Sequence, residues 1–372
     1  MKLNFFINTL GGGGAEKVLV DLVNRLPAEK FDITVTTLLH GVHETRLAPH
    51  VKHNCIVKTN NRILSFCLVR VYCKMFSRAL FAKRFLKGEY DYMISYLEGF
   101  NTQVLAAYKG GAKRIAFVHC NTGVDNTWVK TYASPSQCLQ QYRSFDQVCF
   151  ISQDALDGFE KVVGPLTNAR VVHNVIDYER VISLSKEVGP DSVNAFSDDG
   201  IRLVSVGRLI RVKGYERLLG VIGRLQRDGF RLQLTICGDG DLRRELERKV
   251  KEDGLVNIRF LGFQSNPYYI MKLADYYVCS SYSEGYSTSV AEAIALGLPV
   301  LTTDCSGMRE ILGDGEYGVI AENSEEGLYQ DLKGFLSDPC RGANLKEKAT
   351  RRSKELLAGN PIKEYLDLFA TA

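Results

Sequence analysis

Twelve short apolar, β-branched runs alternate with helix-like segments along the chain, and this alternation limits the fold more than any other feature of the sequence. Six fall in the first half (residues 3–8, 32–38, 92–96, 114–118, 147–151 and 170–172) and six in the second (202–206, 233–237, 257–260, 276–279, 299–302 and 318–321). Strands joined through helices run parallel, and both faces of such a sheet are covered by those helices. The pattern predicts an α/β protein. A polar stretch over 178–200 breaks the rhythm before a fresh run begins, dividing the 372 residues into two doubly wound, Rossmann-like domains of similar size. Ligands of such sheets bind beyond the carboxyl ends of the strands, so two domains facing each other are expected to form a cleft. A helix is predicted over 241–252, with Asp241 as its N-cap.

Composition narrows the setting. The ten cysteines are scattered, several lie inside apolar runs (Cys149, Cys237, Cys279), and no C-x-x-C occurs. Reduced, buried thiols are therefore expected rather than disulfides or a zinc ribbon. No uncharged apolar stretch of about 20 residues is present, and the chain enters a strand-like run with no signal-peptide pattern before it. The expected location is cytoplasmic, peripheral on the inner face of the plasma membrane. Charge is uneven: residues 1–177 carry 21 Lys and Arg against 14 Asp and Glu, the remainder 26 against 29. Much of that excess lies in 62–87, where Arg62, Arg70, Lys74, Arg78, Lys83, Arg84 and Lys87 occur without an acidic residue. Arg70, Lys74 and Arg78 recur every four residues, on one face of a helix. Phe66, Leu68, Met75, Phe76, Leu80 and Leu86 fill other faces. Such a helix suits an anionic membrane surface, and it can equally pack its apolar side into the first domain. Membrane contact is the preferred reading, with a lipid-linked or phosphorylated acceptor. No nucleic-acid recognition module accompanies the basic residues, so nucleic acid is not an expected partner.

The chemistry concentrates in residues 280–292, SSYSEGYSTSVAE, where a strand ends and a helix begins near Thr288. Glu284 lies in the turn and Glu292 in the early helix; eight helical residues span about 12 Å, beyond the roughly 5–9.5 Å usual for a glycosidase carboxylate pair. The spacing suits two grips on one elongated ligand, with a phosphate held at the helix N-terminus between them. The segment Ser289 to Glu292 also reads as a capping box. Upstream, Arg208 and Lys213 stand five residues apart in the turn after the first strand of the second domain. Arginine offers a planar fork to phosphate oxygens and lysine a mobile charge. Gly238 and Gly240 then end a second strand where backbone must approach closely.

The order Gly207-Arg208-x4-Lys213-Gly214, Gly238-Asp239-Gly240, Glu284-x7-Glu292 and Asp304 to Glu310 resembles glycosyltransferase family 4, retaining enzymes of the GT-B fold. The resemblance extends through the glycine loop 11–14 with Ala15, Glu16 and Lys17, through Phe117 to His119, and through Asn174 to Asp177. It implies an acceptor-binding domain at 1–178, a linker at 179–200, a donor-binding domain at 201–352, and a C-terminal helix at 353–372 packing back on the first domain. The resemblance also implies a role for each residue. Arg208 and Lys213 would hold the diphosphate of a nucleotide sugar, Glu292 the ribose, and Glu284 the sugar. Backbone from Gly285 through Tyr286 and Ser287 to Thr288 would face the sugar and phosphates, Phe263 and Gly238 the nucleotide, and Gly13 and Gly14 the diphosphate or acceptor. His119 would approach the reacting sugar. Apart from the resemblance, Glu98 follows the strand at 92–96 toward the expected cleft and is read as serving the acceptor. Ser287 stands where many relatives have glycine. A UDP-linked hexose or N-acetylhexosamine donor and a lipid-linked or growing glycan acceptor, in cell-surface polysaccharide or glycolipid synthesis, are the expected partners. No metal or other cofactor is expected. Asp239-x-Asp241 spells a metal-binding D-x-D, but Asp241 is better placed as a cap, and His40, His43, His50 and His53 read as polar loop residues rather than a metal cluster. The competing readings are a sugar-nucleotide epimerase of the same fold and a nucleic-acid-binding protein acting through 62–87.

Overall fold

A computed structural model of the chain describes residues 1–59, 61–189, 195–196 and 200–371, with the side chains of residues 62, 63, 65, 66, 70, 73, 74 and 371 excluded. The chain forms two compact units, Met1–Ile176 with Asn360–Ala372, and Asp177–Gly359.

The first unit holds a seven-stranded sheet: β1 (Lys2–Ile7), β2 (Asp32–Thr37), β3 (Val51–Cys55), β4 (Tyr92–Ser95), β5 (Lys113–Val118), β6 (Gln147–Phe150) and β7 (Ala169–Val171), in the order β3-β2-β1-β4-β5-β6-β7. Every pairing is parallel. Alternation along β1 sends Leu3, Phe5 and Ile7 into one core and Phe6 into the other, so the strand buries apolar residues on both of its covered faces, with Asn4 the one buried polar residue among them. The last helix, Lys363–Thr371, completes the first of these cores: Tyr365, Leu368 and Phe369 are buried in it, and Tyr92 donates its hydroxyl to Phe369 O at 3.0 Å.

The second unit has six parallel strands: β8 (Ile201–Val206), β9 (Leu232–Cys237), β10 (Ile258–Gly262), β11 (Tyr276–Cys279), β12 (Val300–Thr303) and β13 (Gly318–Ala321), in the order β10-β9-β8-β11-β12-β13. The order reverses direction at β8 and β11, the position where doubly wound sheets bind ligands.

Three features differ from the sequence reading. β3 was not expected, because its sequence VKHNC is that of a polar edge strand; His53 therefore lies in a strand rather than a loop. Within the expected linker 179–200, helix Tyr178–Leu184 belongs to the second unit, capped by the Asp177 carboxylate, which accepts from Arg180 N at 2.9 Å. Residues 190–194 and 197–199 of that linker lie outside the described residues. At the other end, helix Pro339–Ala358 also stays with the second unit, so only 360–372 join the first.

Candidate active site

The second unit's site grows from the turn after β8. One 3-10 turn, Arg211–Lys213, leads into helix Tyr215–Arg227 through Gly214, whose φ is +63°. A Cβ on Gly214 would stand 2.1 Å from Ser280 O, so only glycine lets the turn meet the end of β11. Ser280 Oγ donates to Lys213 O at 3.0 Å and closes that contact. Lys213 Nζ then reaches both carboxylate oxygens of Glu284, each at 2.7 Å, and Ser281 Oγ donates to Glu284 Oε1 at 2.5 Å. The pair is well shielded, with side-chain exposures of 23% for Lys213 and 10% for Glu284. Arg208, in the same turn, is exposed, and its guanidinium has no hydrogen-bond or ion-pair partner among the described residues. With Lys213 paired to Glu284, the exposed Arg208 and Arg211 carry the uncompensated positive charge of this turn.

Glycines also interlock the neighbouring strand ends. Gly238 has φ +155°, and a Cβ there would lie 1.8 Å from Gly207 O; its N–H donates to Gly262 O at 2.7 Å. Beyond β10, Phe263 is 63% exposed, leaving an aromatic face open to a ligand at this edge.

Helix Thr288–Ala295 starts at the predicted place, with Ser287 as N-cap. The Ser287 side chain makes no capping bond; its Oγ lies 3.3 Å from Ser289 Oγ, which in turn lies 2.9 Å from the Tyr277 hydroxyl. Ser289 is already inside the helix, so the capping box ending at Glu292 does not form, since it needs Ser289 as N-cap. Glu292 is 3% exposed. Asp241 is likewise not a cap: helix Arg243–Glu252 begins after Leu242 and has no side-chain cap. Its neighbour Asp239 is engaged by Arg243 at 3.3 Å and accepts from Gly240 N at 2.8 Å.

In the first unit, Gly13 caps helix Gly14–Arg25 and Gly14 opens it. Gly41 packs directly on the preceding loop, since a Cβ there would fall 2.2 Å from the carbonyl carbon of Leu10. Glu98 and His119 meet: Glu98 Oε2 accepts from His119 N at 3.0 Å, which makes Glu98 a support of the His119 loop. Burial raises the Glu98 carboxyl above its ordinary range and lowers the His119 imidazole to about 3, so His119 is a neutral ring. Among the described residues, no hydrogen-bond partner reaches its buried Nε2, the Asn101 side-chain amide or the Thr122 hydroxyl.

The basic segment is not one helix. It breaks into Arg62–Met75 and Arg78–Phe85, with Ser77 capping the second by accepting from Leu80 N at 3.3 Å. Arg78 therefore does not continue the face of Arg70 and Lys74, whose side chains lie outside the described residues. Arg78 instead donates to Gln103 Oε1 at 3.0 Å and lies 4.5 Å over the Phe100 ring.

Sequence profiles of two families match the chain: Glycosyltransferase Family 4 over residues 12–180, and Glycosyl transferases group 1 over 191–354. The chain belongs to glycosyltransferase family 4. The enzyme is 28% identical over 365 residues to the N-acetylgalactosamine-N,N'-diacetylbacillosaminyl-diphospho-undecaprenol 4-alpha-N-acetylgalactosaminyltransferase of Campylobacter jejuni, covering 95% of each chain. A second Campylobacter jejuni enzyme, an alpha-1,4-N-acetyl-D-galactosaminyltransferase acting on a PP-undecaprenol-linked glycan, is 26% identical, with 100% of this chain and 98% of that one covered. Among solved structures, Anabaena HepE in complex with UDP and glucose superposes with a TM-score of 0.76 at 17% identity, covering 100% and 99% of the two chains, which shows the GT-B fold.

Among the described residues of this glycosyltransferase, no group of three or more His, Cys, Asp or Glu side chains is placed to hold a metal ion. The four histidines near the first glycine loop take local partners instead: His40 with Glu44 at 2.9 Å, His53 with Thr37 at 3.0 Å, His43 with Arg46 at 3.4 Å and His50 with Val23 O at 3.4 Å. Sequence reasoning missed Arg217, a buried arginine four residues beyond Lys213 whose guanidinium is held by Ser280 O, Ser281 O and Asn323 Oδ1. Its only signal in the sequence is a charge beside the apolar pair Leu218 and Leu219 in a helix that packs on the sheet.

Proposed function

We propose that this glycosyltransferase moves a hexose or N-acetylhexosamine from a UDP-sugar, with retention, onto a lipid-linked glycan. The observation that carries this reading is the Lys213–Glu284 pair at the carboxyl edge of the second sheet, with the uncompensated Arg208 in the same turn. A diphosphate entering there neutralises Arg208 and draws the Lys213 ammonium from Glu284, which frees the carboxylate for sugar hydroxyls. Both cations then stabilise the charge that grows on the departing diphosphate, an electrostatic contribution of several kcal/mol in such sites (~3 kcal/mol per well-placed donor). The acceptor hydroxyl attacks an oxocarbenium-like sugar on the face the diphosphate leaves, and its proton passes to an oxygen of the departing diphosphate, so the step requires no side-chain base. The buried Glu292 carboxylate suits the ribose hydroxyls, and Phe263 the base. The UDP held by the Anabaena neighbour and the alpha linkages in the names of the two Campylobacter enzymes support this donor and this stereochemistry. The undecaprenol-linked substrates in those names support the acceptor. The neutral His119 and the unpartnered Asn101 and Thr122 suit uncharged hydroxyls of sugars, which both give and take hydrogen bonds.

The test is a panel of UDP-, GDP- and ADP-sugars read by thermal stabilisation, since a ligand at 100 times its Kd adds about 2.7 kcal/mol. UDP-sugars are expected to raise Tm, and transfer to a lipid-diphosphate glycan is expected to survive a chelator. UDP release with a new sugar epimer and no acceptor would point to the epimerase instead; loss of activity restored by manganese would restore the D-x-D reading.

Contact with a membrane surface rests on the first of the two basic-segment helices. Leu64, Cys67, Val71 and Met75 are all exposed, at a spacing that places them along one face, and Met75 reaches 71%. No helix among the described residues is long and apolar enough to cross a membrane. Exposed Lys83, Arg84 and Lys87 lie farther along the segment. Val71→Glu with Met75→Glu is expected to weaken binding to phosphatidylglycerol vesicles, read by sedimentation, by about 100-fold or more, as roughly 1.5–3 kcal/mol of apolar burial per side chain is lost. Unchanged sedimentation would leave the exposed face without a membrane role.

A further inference from the structure

The donor residues rest on a buried cation that the proposed chemistry does not use. Arg217 is 4% exposed, yet no carboxylate forms an ion pair with it among the described residues. Its Nε and Nη2 donate to Ser280 O at 2.9 and 2.7 Å, Nη2 also reaches Ser281 O at 2.6 Å and Asn323 Oδ1 at 2.8 Å, and the guanidinium lies 4.1 Å over the Tyr282 ring. Asn323 in turn donates Nδ2 to Tyr282 O at 2.9 Å. Ser281 O receives two further donors, Thr303 Oγ1 at 2.6 Å and Cys305 Sγ at 3.1 Å. Three successive carbonyls, 280 to 282, are thus fixed from below by side chains that come from the helix after β8 and from the ends of β12 and β13.

Those same residues hold the donor pair from above: Ser281 Oγ binds Glu284 and Ser280 Oγ binds the backbone of Lys213. A planar guanidinium meets two adjacent carbonyls and a ring face at once, a geometry lysine does not reproduce. We propose that Arg217, locked by Asn323, is a positioning residue that sets the 280–284 segment so that Glu284 and Lys213 meet the donor in register. This inference rests on the donor-site reading given above. Misplacement of a reacting group by about 1 Å costs about 100-fold in rate, so a small shift of this segment has a large effect on turnover.

The test measures UDP release from UDP-N-acetylgalactosamine, or from whichever UDP-sugar of the panel turns over fastest, for Arg217→Lys, Asn323→Ala and Glu284→Gln, singly and combined, with Tm measured for each. Arg217→Lys is expected to lower kcat by about 10- to 100-fold and Asn323→Ala to lower it several-fold, both with smaller changes in KM. Combined with Glu284→Gln, neither should lower kcat much further, because both act through Glu284. A loss of the same factor with and without Glu284, or one that follows Tm alone, would overturn the positioning role and leave the donor site standing. Full turnover by Glu284→Gln would remove the donor-site reading, and this inference with it. Asn323→Ala keeps the question answerable if Arg217 variants fail to fold.

Discussion

Alanine at Arg208 is expected to lower turnover by about 100- to 1,000-fold at saturating donor, with Tm nearly unchanged. Arg208 is exposed and pairs with nothing among the described residues, so its removal orphans no buried group and the loss belongs to the bound state. Lys213→Ala is expected to lose as much activity but also some stability. It leaves the Glu284 carboxylate shielded from water, with Ser281 as its remaining hydrogen-bond donor of the two shown here. The contrast between the two variants separates their roles: equal catalytic loss with unequal Tm is the expected pattern, measured by steady-state UDP release beside thermal unfolding. Near-normal turnover of Arg208→Ala would rule out its contact with the leaving diphosphate.

The second large effect is at Gly214. Alanine there meets two penalties, the left-handed φ of +63° and a Cβ 2.1 Å from the Ser280 carbonyl. The first costs about 1–2 kcal/mol; the second forces the turn carrying Lys213 away from β11. Gly254 supplies the control, with the same φ of +63° and no heavy atom within 4 Å of an added Cβ. Gly254→Ala is expected to lose only the conformational part, about 1 kcal/mol, and to keep full activity. Gly214→Ala is expected to lose about 3 kcal/mol or more by denaturant unfolding, and most of its turnover with it. Equal losses at the two glycines would mean that the contact with Ser280 relaxes freely.

Much of this was legible from sequence where a residue's role depends on local pattern. The second sheet could be read strand by strand because every strand, the edge strand β10 included, carries a short apolar run, and the N-terminus of helix Thr288–Ala295 fell where expected. β3 escaped because an edge strand needs no apolar run. Asp241 was misread because a residue that can cap gives the same signal whether the helix starts one or two positions later. Arg78 was misjudged because a four-residue repeat does not reveal that Ser77 ends one helix and caps another. Arg217 and Asn323 were invisible for a different reason. They lie 106 residues apart and acquire meaning only when parallel strands bring β8, β11 and β13 to one edge. Glu284 and Lys213 were both singled out, but the pairing between them was not: it is a contact across 71 residues that no spacing in the sequence encodes.

The most direct test of the donor site is the affinity of UDP itself, titrated calorimetrically into the wild-type enzyme and into the Arg208→Ala, Lys213→Ala double variant. Two charge-assisted contacts of about 1.5–3 kcal/mol each predict a Kd raised by about 100-fold or more. An unchanged Kd would place the diphosphate elsewhere and contradict the assignment of Arg208 and Lys213.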